Sequence, residues 1–125
     1  MKVLILEDNK FILSIIQAAI KEFNVEVQVA TNVSEALSLY ADFQPDLIMS
    51  DLHMESGTSV SFLEEVSKSK SHHVLVVSSD FELLSEVEEK LGGEKWRYVN
   101  KNNRRWLMQV KKELKSSIVL QGEMY

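Results

Sequence analysis

The stretch LIMSD, residues 47–51, decides the fold. Four mostly apolar residues follow Pro45-Asp46 and run straight into an aspartate. A short, continuous apolar run behind a turn signal reads as a strand buried on both faces. LILED, residues 4–8, ends in the same way on Glu7 and Asp8. HVLVVSS (73–79) is a third such run and closes on two hydroxyls; WRYVN (96–100) is short and is followed by Lys101. VEVQVAT (25–31) differs, because apolar and polar residues alternate. That pattern suits an edge strand with one exposed face.

Helical patterns lie between these runs. FILSIIQAAIKEF (11–23) places Ile12, Ile16, Ala19 and Phe23 on one stripe, with Phe11, Leu13, Ile15 and Ile20 outside it. SEALSLYADF (34–43) is stopped by Pro45, and VSFLEEVSKS (60–69) is amphipathic. ELLSEVEEKL (82–91) is acidic and runs into Gly92-Gly93, in the place of a C-cap. Asn102 or Asn103 can cap a last helix that buries Trp106, Leu107, Val110 and Leu114. Strand and helix thus alternate five times. The expected fold is α/β: a doubly wound, five-stranded parallel sheet with helices on both faces. Continuous strands belong at the centre and the alternating one at an edge, which the order 2-1-3-4-5 satisfies. Residues 116–125 fit no further element; a domain over 1–117 is expected, with 118–125 a tail, a helix extension or the start of a linker.

Composition narrows the function. A chain of 125 residues, 45% hydrophobic, is enough for one domain with a real core. A net charge of −5 argues against direct nucleic-acid binding, so Arg104-Arg105 and Lys111-Lys112 read as solvated helix face. Without cysteine there is neither a disulfide framework nor a thiolate metal site. No apolar run nears the ~18 residues of a membrane span. The amino terminus turns acidic too soon for a signal peptide, so a cytoplasmic protein is expected.

Open parallel sheets bind ligands beyond the carboxyl ends of their strands, at the point where strand order reverses. Those ends carry Glu7 and Asp8, then Asp51, then Ser78 and Ser79, then Lys101. Strands one and three flank the switch point, so three carboxylates converge. Such a cluster is costly unless a cation neutralises it. Oxygen ligands on a loop rim suit Mg²⁺ before Zn²⁺, and Mg²⁺ also coordinates phosphate oxygens. Taken singly, Asp8 and Asp51 read as caps or turn residues, Lys101 as a surface lysine and Ser78 as a strand-end hydroxyl. Acid, acid, hydroxyl and ammonium on four strand ends are harder to assign to chance.

LILED, QPDLIMSDLHM, VLVVSS and YVNK together resemble the receiver domain of two-component response regulators, in the layout of the chemotaxis-type single-domain regulators with their flavodoxin-like fold. The resemblance covers residue 2 to about residue 116. It implies phosphorelay signalling with a histidine kinase or phosphotransfer protein as partner, and no enzyme activity beyond the domain's own phosphoryl transfer and dephosphorylation. Asp51 looks like the phosphoacceptor. Glu7, Asp8, Asp51 and the backbone carbonyl of His53 look like the Mg²⁺ ligands. Lys101 and Ser78 would meet the phosphoryl oxygens, and Tyr98 matches the switch aromatic. His53 and Asp80 stand where the family tunes hydrolysis.

The chain departs from the family in places. Glu55 stands for a usual proline, Ser59 for a usual glycine with Gly57 two residues earlier, and Asn102 for a proline reached through a cis bond. A non-proline cis bond costs ~3 kcal/mol. These changes bear on loop geometry and leave the site residues intact. Rival functions fare worse. A haloacid-type phosphatase needs a second acid where this chain has His53. A flavin or nucleotide binder needs a glycine-rich phosphate loop, and no strand is followed by one. A degenerate receiver would not need the full set of acids, hydroxyl and lysine. The kinase, the output target and whether the domain forms a homodimer are not written in the sequence. The helix following the first strand and the last helix with Tyr98 are the candidate docking surfaces.

Overall fold

Successive residues of a strand point to opposite faces, and the central strands here are apolar at every position. The sheet therefore needs two covers. The computed structural model describes residues 1–55, 57–69, 72–80, 82–91, 96–120 and 122. Its elements are β1 (Lys2–Leu6), α1 (Lys10–Ile20), β2 (Glu26–Ala30), α2 (Val33–Phe43), β3 (Leu47–Ser50), β4 (His53–Met54), β5 (Gly57–Thr58), α3 (Val60–Val66), β6 (His73–Ser78), α4 (Leu84–Leu91), β7 (Trp96–Asn100) and α5 (Trp106–Leu120). The main sheet has the order β2-β1-β3-β6-β7. Every pairing in it is parallel. This is the expected 2-1-3-4-5 arrangement once the small hairpin β4–β5 is set aside.

The two covers follow the strand alternation. Leu4, Leu6, Ile48 and Val76 pack with Ala36 of α2, Phe62, Leu63 and Val66 of α3, and Val87 of α4. Val3, Ile5, Met49, Leu75 and Val77 pack with Ile16 and Ile20 of α1 and Val110, Leu114 and Ile118 of α5. β2 is one of the two edge strands, and its residues alternate between more and less exposed until Ala30. Ile20, outside the expected stripe of α1, is core, and Leu13 packs against it; Phe11 is 72% exposed. Helix α5 carries on past residue 117, because Ile118 is buried against the sheet.

Local chemistry sets the ends. Asn9 caps α1 by accepting from Ile12 N at 3.0 Å, and Asn32 caps α2 by accepting from Glu35 N at 2.8 Å. Gln44 ends α2 in a left-handed conformation, φ 52°. Gly57, the first residue of β5, sits at φ 136°, a conformation glycine adopts without steric cost. His72, just before β6, is buried in a T-shaped contact with the Tyr40 ring, 5.4 Å between centroids. Gly92-Gly93, the expected C-cap, lies outside the described residues. Among the described residues the peptide bonds are trans, Lys101–Asn102 included, so the chain avoids the cost of a non-proline cis bond. No helix among them is long and apolar enough to cross a membrane.

Candidate phosphoryl and metal site

The sheet ladder runs one residue beyond the regular strands and delivers the site residues in register. Glu7 N donates to Ala30 O at 3.1 Å, Asp51 N to Leu6 O at 3.0 Å and Lys101 N to Ser78 O at 3.0 Å. The side chains of Glu7, Asp51 and Lys101 thus leave a backbone that is already hydrogen-bonded.

Glu7, Asp8 and Asp51 meet at the carboxyl edge, with one oxygen of each within 4.8 Å of the others. Asp8 is not spent on the helix cap, since Asn9 does that. Its Oδ2 accepts instead from Glu55 N at 2.6 Å. Lys101 Nζ lies 3.0 Å from Glu7 Oε2 and 3.1 Å from Asp51 Oδ2. Burial holds the Glu7 carboxyl above its ordinary range; the Asp51 carboxylate pushes the same way, and Lys101 and the Asn9 N–H oppose them. One ammonium therefore does not balance the cluster. Three convergent carboxylates with oxygens to spare, a hard-donor set short of positive charge, fit Mg²⁺.

Beside this cluster opens a cleft of about 490 Å³ lined by Asp51, His53, Ser78, Ser79, Asp80 and Glu82. Ser78 is buried at the end of β6, and its Oγ accepts from Asp80 N at 3.1 Å. Asp80 Oδ1 accepts from Glu82 N and Leu83 N, so this acid caps the approach to α4. Its Oδ2 lies 3.9 Å from His53 Nδ1. Tyr98 is partly buried against the α2–α3–α4 side of the core, and its hydroxyl donates to Ser78 O at 3.0 Å. The structure brings Glu7, Asp8, Asp51 and Lys101 together, sets His53, Ser78 and Asp80 along the adjoining cleft, and joins Tyr98 to it through Ser78 O.

Sequence reasoning missed the support beneath Asp51. Ser50 Oγ donates to the Asp51 carbonyl at 2.7 Å, and Ser59 Oγ donates to the same oxygen. Leu52 N donates to Asp51 Oδ1 at 2.7 Å. A serine just before an apolar helical run signals a helix cap, and nothing in the sequence redirects it.

The family description "Response regulator receiver domain" matches residues 3–111. The fold is shared with the signal receiver domain of an HD domain-containing protein from Pseudomonas fluorescens: TM-score 0.82, 18% identity, covering 97% of this chain and 96% of that one. Chemotaxis response regulator CheY4 of Vibrio cholerae aligns with a TM-score of 0.71 at 21% identity, over 90% of this chain and 97% of that one. Response regulator TrrA of Thermotoga maritima, solved in complex with Mg(2+)-BeF, gives a TM-score of 0.76 at 19% identity, over 93% and 97%. With the match spanning nearly the whole sheet and both covers, the chain belongs to the response regulator receiver domains of two-component signalling.

Proposed function

We propose that this receiver takes a phosphoryl group on Asp51 from a histidine kinase or phosphotransfer protein, and that it works as a switch with no catalytic output of its own. The observation that carries this is the placement of Lys101 between the Asp51 and Glu7 carboxylates at the mouth of an open cleft. An Asp51 oxygen forms the new bond to phosphorus as the bond from phosphorus to the donor breaks. Phosphoryl transfer asks mainly for alignment and charge compensation. The Leu52 amide and the ladder bond of Asp51 N fix the carboxylate, and Lys101 is within reach of both the acceptor and an arriving anionic oxygen. Glu7, Asp8, Asp51 and the His53 carbonyl would hold Mg²⁺. When bound, Mg²⁺ supplies the positive charge that Lys101 alone does not. The Thermotoga protein, solved with Mg(2+)-BeF, is a precedent for such a group on this fold. Ser78 lines the cleft to meet a phosphoryl oxygen, and its link to Tyr98 offers a route from the site to the surface of β7.

The test is incubation with a small-molecule acyl phosphate and Mg²⁺, read by intact mass. One added phosphoryl group is expected, not formed when chelator is present from the start and absent from Asp51→Asn. An unmodified parent, or an equal adduct on the variant, would reject the assignment.

A further inference from the structure

We propose that Ser59 is a positioning residue for Asp51, acting through the Asp51–Leu52 peptide; this rests on Asp51 being the acceptor. Ser59 occupies the N-cap of α3, where a serine side chain ordinarily accepts from an N–H of the first turn. Here it makes no such bond. Fully buried, it turns back and donates to the Asp51 carbonyl oxygen, while its own N–H donates to Leu52 O at 2.9 Å. Ser50 supplies a second hydroxyl to that oxygen, so both lone pairs of the carbonyl are engaged. The peptide unit is planar. Fixing its oxygen therefore fixes the Leu52 N–H at its other end, and that N–H holds Asp51 Oδ1. The helix forgoes its cap, and the orientation of the acceptor carboxylate is what the hydroxyl holds instead. Glu55 N–H on Asp8 does the same for the neighbouring acid from the other end of the β4–β5 hairpin. Leu52 and Glu55 thus hold two site carboxylates, each through a backbone N–H.

The test compares the parent chain, Ser59→Gly and Ser59→Thr, phosphorylated with an acyl phosphate donor and Mg²⁺. Glycine is well accepted at an N-cap, so this change removes the hydroxyl while sparing the helix. Ser50→Ala, which removes the companion donor, serves as the second variant should Ser59→Gly not fold. Loss of alignment is expected to lower the maximal rate about tenfold, with the half-saturating donor concentration unchanged. The Leu52 amide is expected to exchange faster in Ser59→Gly, and threonine to recover the rate. A Ser59→Gly protein that matches the parent's rate overturns the proposal, as does a loss that folded Ser59→Thr shares. If the parent itself takes no phosphoryl group, the acceptor reading has failed and the proposal goes with it.

Discussion

Lys101 stands 3.0 Å from Glu7 and 3.1 Å from Asp51, and all three side chains are largely shielded from solvent. Replacing it by methionine leaves two buried anions facing each other. Removing one partner of a buried pair typically costs ~3 kcal/mol. Lys101→Met is therefore expected to lose about that much in metal-free urea unfolding, and adding Glu7→Gln should recover part of the loss. An unchanged midpoint would mean that the ammonium is not compensating the cluster. Tyr98 carries a pH signature. Burial raises its phenol above the ordinary range, and the Asp80 and Asp51 carboxylates add to the shift. The folded state thus holds this proton more tightly than the unfolded one. Its contribution is fully present below the unfolded value of about 10 and is lost as pH rises through the higher folded value. Tyr98→Phe should flatten the alkaline fall in stability relative to the parent, and an identical pH profile for the two proteins would contradict this.

At the scale of elements, α5 makes the sharpest prediction. Its last turns were open to several readings in the sequence, because SSIV carries no clear helical stripe by itself. Packing carries the helix to Leu120: Ile118 is 2% exposed and shares a core with Ile16, Ile20 and Leu114. Ile118→Ala should cost about 3 kcal/mol, measured as a drop in denaturation midpoint. A drop under 1 kcal/mol, about the cost of an exposed change, would mean the end of the helix does not pack. The same contrast explains what was legible. Strand order could be read because VEVQVAT alternates while LILE, LIMS and VLVV do not. The acids could be read because each follows directly on an apolar run. The β4–β5 hairpin could not, since two residues per strand carry no periodicity. Nor could the burial of His72, which depends on the Tyr40 ring, or the target of Ser59, whose position signals only a cap.

At the scale of the molecule, the site exists only when the sheet does. Lys101 lies 94 positions from Glu7 and 50 from Asp51 along the chain, and the parallel pairing of β1 with β3 brings the two acid-bearing ends together. A divalent cation that needs Glu7, Asp8 and Asp51 at once therefore binds the native state and not the unfolded chain. Binding to the native state alone stabilises it, by about 2.7 kcal/mol at a ligand concentration one hundred times Kd. Mg²⁺ is accordingly expected to raise the thermal midpoint in proportion to the logarithm of its concentration once above Kd, and chelator to reverse the rise. Asp8→Asn should weaken the response without abolishing the fold, because Asn9 and not Asp8 caps α1. Na⁺ at equal ionic strength separates specific binding from screening, since screening acts on exposed charges and this cluster is largely shielded. If Mg²⁺ and Na⁺ move the midpoint equally, the three carboxylates do not form a cation site, and the compensation among them must come from Lys101 and the backbone amides alone.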